Sequence, residues 1–196
     1  MSIDRTKYLS KTEVKLLRTT IRNAAIVAKK QNQHNAIKRW MLVDFALSTG
    51  FRVREIANVK IKDIDFERHL IKVTRLKRKK PIIESFHLED KFRRHLKRYI
   101  GKRKAGALFQ SSQGRDISAQ QLQNIWKRAI KDANLPKELS IHSARHTVAT
   151  QLYSKTKDMA LVQKFLGHVN IATTMNVYAA VTDEDMHKAQ TNLYED

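Results

Sequence analysis

Leu70-Ile71-Lys72-Val73-Thr74-Arg75-Leu76, Lys77-Arg78-Lys79-Lys80-Pro81, Ile82-Ile83-Glu84-Ser85-Phe86-His87-Leu88: the fold turns on this stretch. Two β-branched, partly alternating runs of strand length flank a very basic connection containing a proline. That pattern predicts a β-hairpin, or the edge of a small sheet, over Leu70–Leu76 and Ile82–Leu88. On both sides the apolar residues recur at helical spacing instead. The expected class is therefore mainly α with a small antiparallel β-sheet, in one domain over 1–196.

Upstream, Ser10-Lys11-Thr12-Glu13 reads as a capping box, with Leu9 and Val14 as a hydrophobic staple. The helix behind it carries Val14, Leu17, Ile21, Ala24, Ala25 and Ala28. Gln31–Asn35 is a polar break. Ala36–Ser48 is too apolar for a surface helix, and Gly50 is placed to end it. Phe51–Val59 reads as a short helix. Downstream, helices are predicted at Glu89–Ile100, Ser118–Ala133, His142–Ser154, Asp158–Leu166, Ala172–Tyr178 and Asp183–Leu193, with Ser118 and Gln121 as a second capping box.

Composition narrows the partner. The 196 residues carry 39 Lys+Arg against 19 Asp+Glu, a net charge of +20, with 41% hydrophobic residues. A core is available, so a disordered basic tail is excluded. With no cysteine, disulfide scaffolds, thiol nucleophiles and cysteine-type zinc sites are excluded as well. The longest apolar runs, Ala24–Ala28 and Trp40–Val43, fall far short of a membrane span, and Met1–Arg5 has no signal-like apolar segment. The expectation is a cytoplasmic, DNA-associated protein without a membrane partner.

The charge is uneven. Lys60–Lys104 holds 17 Lys/Arg against 6 Asp/Glu, and Thr74–Lys80 packs five cations into seven residues, which repel one another unless an anion covers them. Ala179–Asp196 is acidic at −4, leaving +24 on Met1–Tyr178.

Four further segments carry chemistry. Arg52 lies in Thr49-Gly50-Phe51-Arg52-Val53-Arg54-Glu55. His142 and Arg145 share helical i,i+3 spacing in His142-Ser143-Ala144-Arg145. Leu166-Gly167-His168 supplies a second histidine, and Tyr178 follows ten residues later. Each has an ordinary reading: Arg52 pairing with Glu55, His142 as a helix cap or core residue, Tyr178 as a packed aromatic. His142 and His146 faintly suggest a zinc helix, but no Glu follows His142 and Arg145 would crowd a metal with positive charge. No metal and no cofactor is expected. Taken together the residues suit one phosphodiester. Arginines clamp nonbridging oxygens, histidines move protons, a lysine protonates a departing alkoxide, and a tyrosine attacks phosphorus.

In that order, Arg52, the Lys77 region, His142 with Arg145, His168 and Tyr178 resemble the motifs of the tyrosine recombinases, the phage integrases and Xer-like enzymes. The resemblance runs from about Leu9 to Val181 and includes Asn170–Tyr178, which is similar to the segment leading to the family's nucleophile. It implies the tyrosine recombinase catalytic-domain fold and strand exchange on double-stranded DNA at a specific recombination site. By resemblance Tyr178 forms a 3′-phosphotyrosyl link, while Arg52, Arg145 and His168 stabilise the phosphorane. His142 acts as acid/base and Lys77 protonates the leaving oxygen. Counting back from the second strand favours Lys79 instead of Lys77. Arg75, Arg78, Lys79 and Lys80 are the expected DNA contacts. The resemblance also implies a homo-oligomer, a tetrameric synapse, with accessory proteins as further partners and the acidic tail 182–196 docking on a neighbouring protomer.

Most relatives carry a helical core-binding domain before the catalytic one. Here the similarity starts near Tyr8, so the expectation is a compact recombinase similar to the fimbrial phase-switch invertases, or a catalytic fragment. The competing readings are a noncatalytic DNA-binding regulator with this fold, a type IB topoisomerase-like enzyme, and a structural basic protein.

Overall fold

The computed structural model describes residues 8–31, 34–76 and 81–167. Helix α1 (Lys11–Lys30) starts at the predicted capping box: the Glu13 N–H donates to Ser10 Oγ at 3.2 Å and the Ser10 N–H to the Glu13 carboxylate at 2.7 Å. Its buried stripe is Leu17, Ile21, Ala25 and Ala28. That face rests on α2 (His34–Thr49), whose Met41, Leu42, Val43, Phe45 and Ala46 are all buried. A helix apolar on nearly every side must be surrounded. Here α1, α4 (Asp90–Ile100), α5 (Ala119–Asp132) and α6 (Ile141–Thr156) pack around it. An Arg39–Asp132 ion pair joins α2 to α5.

Between the short α3 (Val53–Asn58) and α4 lies a three-stranded antiparallel sheet in the order β1 (Ile64–Asp65), β2 (Leu70–Leu76), β3 (Pro81–His87). The hairpin register pairs Leu70 with His87 and Leu76 with Pro81. Pro81 belongs to β3 and not to the connection. As the first residue of an edge strand it needs no ladder N–H. The two-residue β1, pairing Ile64 with Ile71, is an addition to the predicted hairpin, too short to show a period.

Along β2 the pleat alternates: Ile71, Val73 and Arg75 are buried, while Lys72 and Thr74 are exposed. The main core gathers around α2. A second cluster of Val148, Ala149, Tyr153, Val162 and Leu166 joins α6 to α7 (Met159–Leu166). The predicted helices Ala172–Tyr178 and Asp183–Leu193, and the tail 182–196, lie outside the described residues. Among those residues no helix is long and apolar enough to cross a membrane.

Candidate active site

At the end of α2 the chain reverses through Gly50, whose φ is +64°, a left-handed conformation natural to glycine. A Cβ there would lie 2.9 Å from Leu166 Cδ2, so the position also requires the missing side chain. Thr49 Oγ1 ties the turn down, donating to the Phe45 carbonyl and accepting from the Phe51 N–H. The turn delivers Arg52 to the N-cap of α3. Glu55, one turn on, reaches back. Its Oε2 accepts the Arg52 N–H at 2.7 Å and its Oε1 accepts Arg52 Nη1 at 3.1 Å. The expected Arg52–Glu55 pair therefore exists. It leaves the arginine side chain 42% exposed, with Nε and Nη2 unpartnered among the described residues.

Arg145 comes from the first turns of α6, a helix capped by Ser140, whose Oγ accepts the His142 N–H. It is buried and held by two carbonyls: Nη1 donates to Gly50 O at 2.7 Å and Nη2 to Leu166 O at 2.6 Å. It thus fastens the Gly50 turn to the end of α7. His142, three residues earlier, is exposed. The i,i+3 pair begins on one face but ends in different surroundings, because the guanidinium folds inward beneath the turn.

Arg75 differs from expectation. It was expected as a phosphate contact, yet its side chain is 2% exposed and turned inward. Nη1 donates to Glu55 Oε2 at 2.7 Å, Nε to Glu84 Oε2 at 3.2 Å, and Nη2 to the Phe165 carbonyl at 3.3 Å. The guanidinium also lies 5.0 Å from the Phe51 ring centroid. The physical reason is the pleat: Arg75 shares the inward parity of Ile71 and Val73. Glu84 is the charged neighbour that cation-counting misses, and Glu55 was legible only as a partner of Arg52; the strand parity is the signal that turns Arg75 toward both.

Glu55 therefore holds Arg52 and Arg75 directly, and Arg145 lies within electrostatic reach of all three. Burial, then Arg52, pushes the Arg145 guanidinium down to about 9; Glu55 opposes this and Arg75 adds to it. Three cations, Arg52, Arg75 and Arg145, gather with two carboxylates, Glu55 and Glu84, an excess of one positive charge. Such a site favours an anion with several oxygens, and the exposed edge of Arg52 lies open to it.

Lys77, Arg78, Lys79, Lys80, His168 and Tyr178 lie outside the described residues. Among those that are described, no three His, Cys, Asp or Glu side chains gather as a metal-ligand set. A large cavity, about 920 Å³, opens elsewhere, between α1, α2 and α4, lined by Arg18, Arg22, Lys38, Asp44, His95 and Arg103 among others. None of the three converging arginines borders it.

Comparison with known proteins places the geometry in context. The model of the phage integrase family matches residues 7–185. Tyrosine recombinase XerC of Corynebacterium glutamicum is 29% identical over 170 residues, covering 83% of this chain and 53% of that protein. Tyrosine recombinase XerH of Campylobacter jejuni is 30% identical over 173 residues, covering 86% and 47%. The chain thus spans about half the length of the curated relatives it matches. Among solved structures, XerH recombinase bound to a palindromic difH substrate in a post-cleavage complex superimposes with a TM-score of 0.75 at 23% identity, covering 97% of this chain and 54% of that one. At that identity the likeness speaks for the fold.

Proposed function

This chain belongs to the phage integrase family, the tyrosine recombinases, and on that footing we propose that it cleaves and rejoins double-stranded DNA at a specific site. The observation that carries the reading is the convergence of Arg52, Arg75 and Arg145 on Glu55, with Arg145 fixed by two carbonyls and Arg52 left open. It provides a fixed positive seat for one phosphate before the substrate arrives. Preorganised charge of this kind stabilises a transition state without rearrangement.

In the proposed reaction Tyr178 Oη attacks the scissile phosphorus. The Oη–P bond forms and the bond to the 5′ oxygen breaks, leaving a 3′-phosphotyrosyl link and a free 5′-hydroxyl. His142 takes the tyrosine proton, and Lys77, with Lys79 as the alternative, gives one to the departing oxygen. Arg52, Arg145 and His168 bear on the nonbridging oxygens. Rejoining is the reverse with a new 5′-hydroxyl, so the bond energy is retained and no ATP is consumed. Side-chain cations fill the part a metal would otherwise play. Arg78, Lys79 and Lys80 hold flanking phosphates. Four protomers assemble on two sites, and the acidic tail docks on a neighbour. Truncation after Thr182 should therefore weaken assembly on DNA.

The test uses a pool of nicked duplexes with a randomised central segment, from which the protein selects its own site. Wild-type protein should capture a subset covalently, visible on a denaturing gel, and Tyr178→Phe should capture none. An adduct formed equally by the Phe variant would end the proposal. So would a wild type that never forms one.

A further inference from the structure

Arg75 sits at the junction of three elements and is almost fully buried. Each of its three nitrogens has an acceptor on a different element: Glu55 on α3, Glu84 on β3, and the Phe165 carbonyl in the last turn of α7. Gly167 makes room for it, because a Cβ at that position would lie 3.0 Å from Arg75 Nε. A guanidinium so enclosed cannot reach a phosphate. Its effect must pass through its partners.

The partner that matters is Glu55. A carboxylate facing a guanidinium prefers the two-pronged fork, which would engage two nitrogens of Arg52 and turn its polar edge away from any ligand. Here that fork is not available. Oε2 is occupied by Arg75 Nη1 and by the Arg52 backbone N–H, both at 2.7 Å. Among the described residues Arg52 keeps one side-chain hydrogen bond, Nη1 to Oε1 at 3.1 Å, and its side chain stays 42% exposed. Arg75 also neutralises a carboxylate that would otherwise repel an incoming phosphate.

Resting on the recombinase reading above, we propose that Arg75 is a positioning residue: by occupying Glu55 it holds Arg52 in the orientation that clamps the scissile phosphate. It acts on the nonbridging oxygens through Arg52 and not on the leaving group.

The experiment separates those routes with three versions of the nicked duplex that wild-type protein captures from the randomised pool. One carries the ordinary scissile phosphodiester. The second has a methylphosphonate there, which is neutral and gives a guanidinium little to clamp. The third has sulfur in place of the bridging 5′ oxygen, which departs without a proton. Rates of covalent complex formation are measured for wild type, Arg75→Gln and Arg75→Lys, and each variant is compared with wild type on the same duplex. Arg75→Gln should slow the phosphodiester reaction about 100-fold, the size expected of a misplaced catalytic group. Its defect should shrink to below about 10-fold on the methylphosphonate and persist on the sulfur duplex. Arg75→Lys keeps a cation against Glu55. It should show the same pattern with a loss of about 10-fold, and it carries the test if thermal melting shows the Gln variant unfolded. The proposal is overturned by wild-type rates, by equal defects on all three duplexes, or by recovery on sulfur alone. A wild type without a Tyr178-dependent adduct defeats the recombinase reading and this inference with it.

Discussion

Two regions of the molecule collect cations, and they do so differently. In the cleft between α1, α2 and α4 the charges are spread along a wide cavity, and some are held by local partners. Asp44 takes Arg18 at 3.3 Å and His95 Nδ1 at 2.7 Å, and His95 stacks on Trp40 at 3.9 Å. Arg103 is bound to the Ile100, Ala107 and Leu108 carbonyls. Burial, and then Arg103, pulls Lys38 below its ordinary value. Around Glu55 there are fewer cations, but their directions are fixed and their charges converge. The difference teaches that neither cavity size nor cation count locates a phosphate site. Convergence on a buried, preorganised centre does.

Arg145→Gln should lower the rate of covalent complex formation by about 10³-fold, the upper range for removing a preorganised donor. An unchanged rate would mean the centre is only structural. Glu55→Gln should lower folding stability by about 3 kcal/mol in urea unfolding, because it takes the nearer carboxylate from the buried Arg75 guanidinium. Asp44→Asn, in the cleft, should lose only about 1–2 kcal/mol, since its side chain is 20% exposed. Equal losses would erase the distinction between the two regions.

Gly50→Ala should destabilise by about 1–3 kcal/mol from its positive φ and the crowding at Leu166. Cleavage should fall with it, because the Gly50 carbonyl holds Arg145.

Arg145 has its guanidinium lowered to about 9 in the folded protein. Above that pH the folded state carries fewer protons than the unfolded chain, so rising pH favours folding through this residue. The same rise removes the charge that a phosphate needs. Covalent complex formation should therefore fall above about pH 9, while melting temperatures show no loss attributable to Arg145. The smallest effect belongs to the cleft: Arg22→Gln should leave cleavage within about 3-fold of wild type, as surface substitutions usually do.

Much of the fold was legible from local chemistry. The capping boxes at Ser10 and Ser118, the apolar α2 and the hairpin at Leu70 all stand where side-chain spacing predicts them. Strand β1 was not legible, because two residues have no period. Pro81 falls in the predicted connection but opens β3, where, at the start of an edge strand, its missing N–H costs nothing. Arg52 and Arg145 were legible as charges placed beside a helix break and a helix start. The role of Arg75 was not. Its position within a run of cations concealed its inward parity, and its partners Glu84 and Phe165 lie 9 and 90 residues away.

In the proposed reaction the arginine centre serves a tyrosine that attacks DNA. The most direct measurement isolates the covalent adduct, digests it with protease, and sequences the peptide still bound to nucleotide by mass spectrometry. The expected result is attachment at Tyr178 through a 3′-phosphate, a free 5′-hydroxyl on the other fragment, and loss of the adduct in Arg145→Gln. Attachment at another residue, linkage through a 5′-phosphate, or full adduct formation without Arg145 would contradict it.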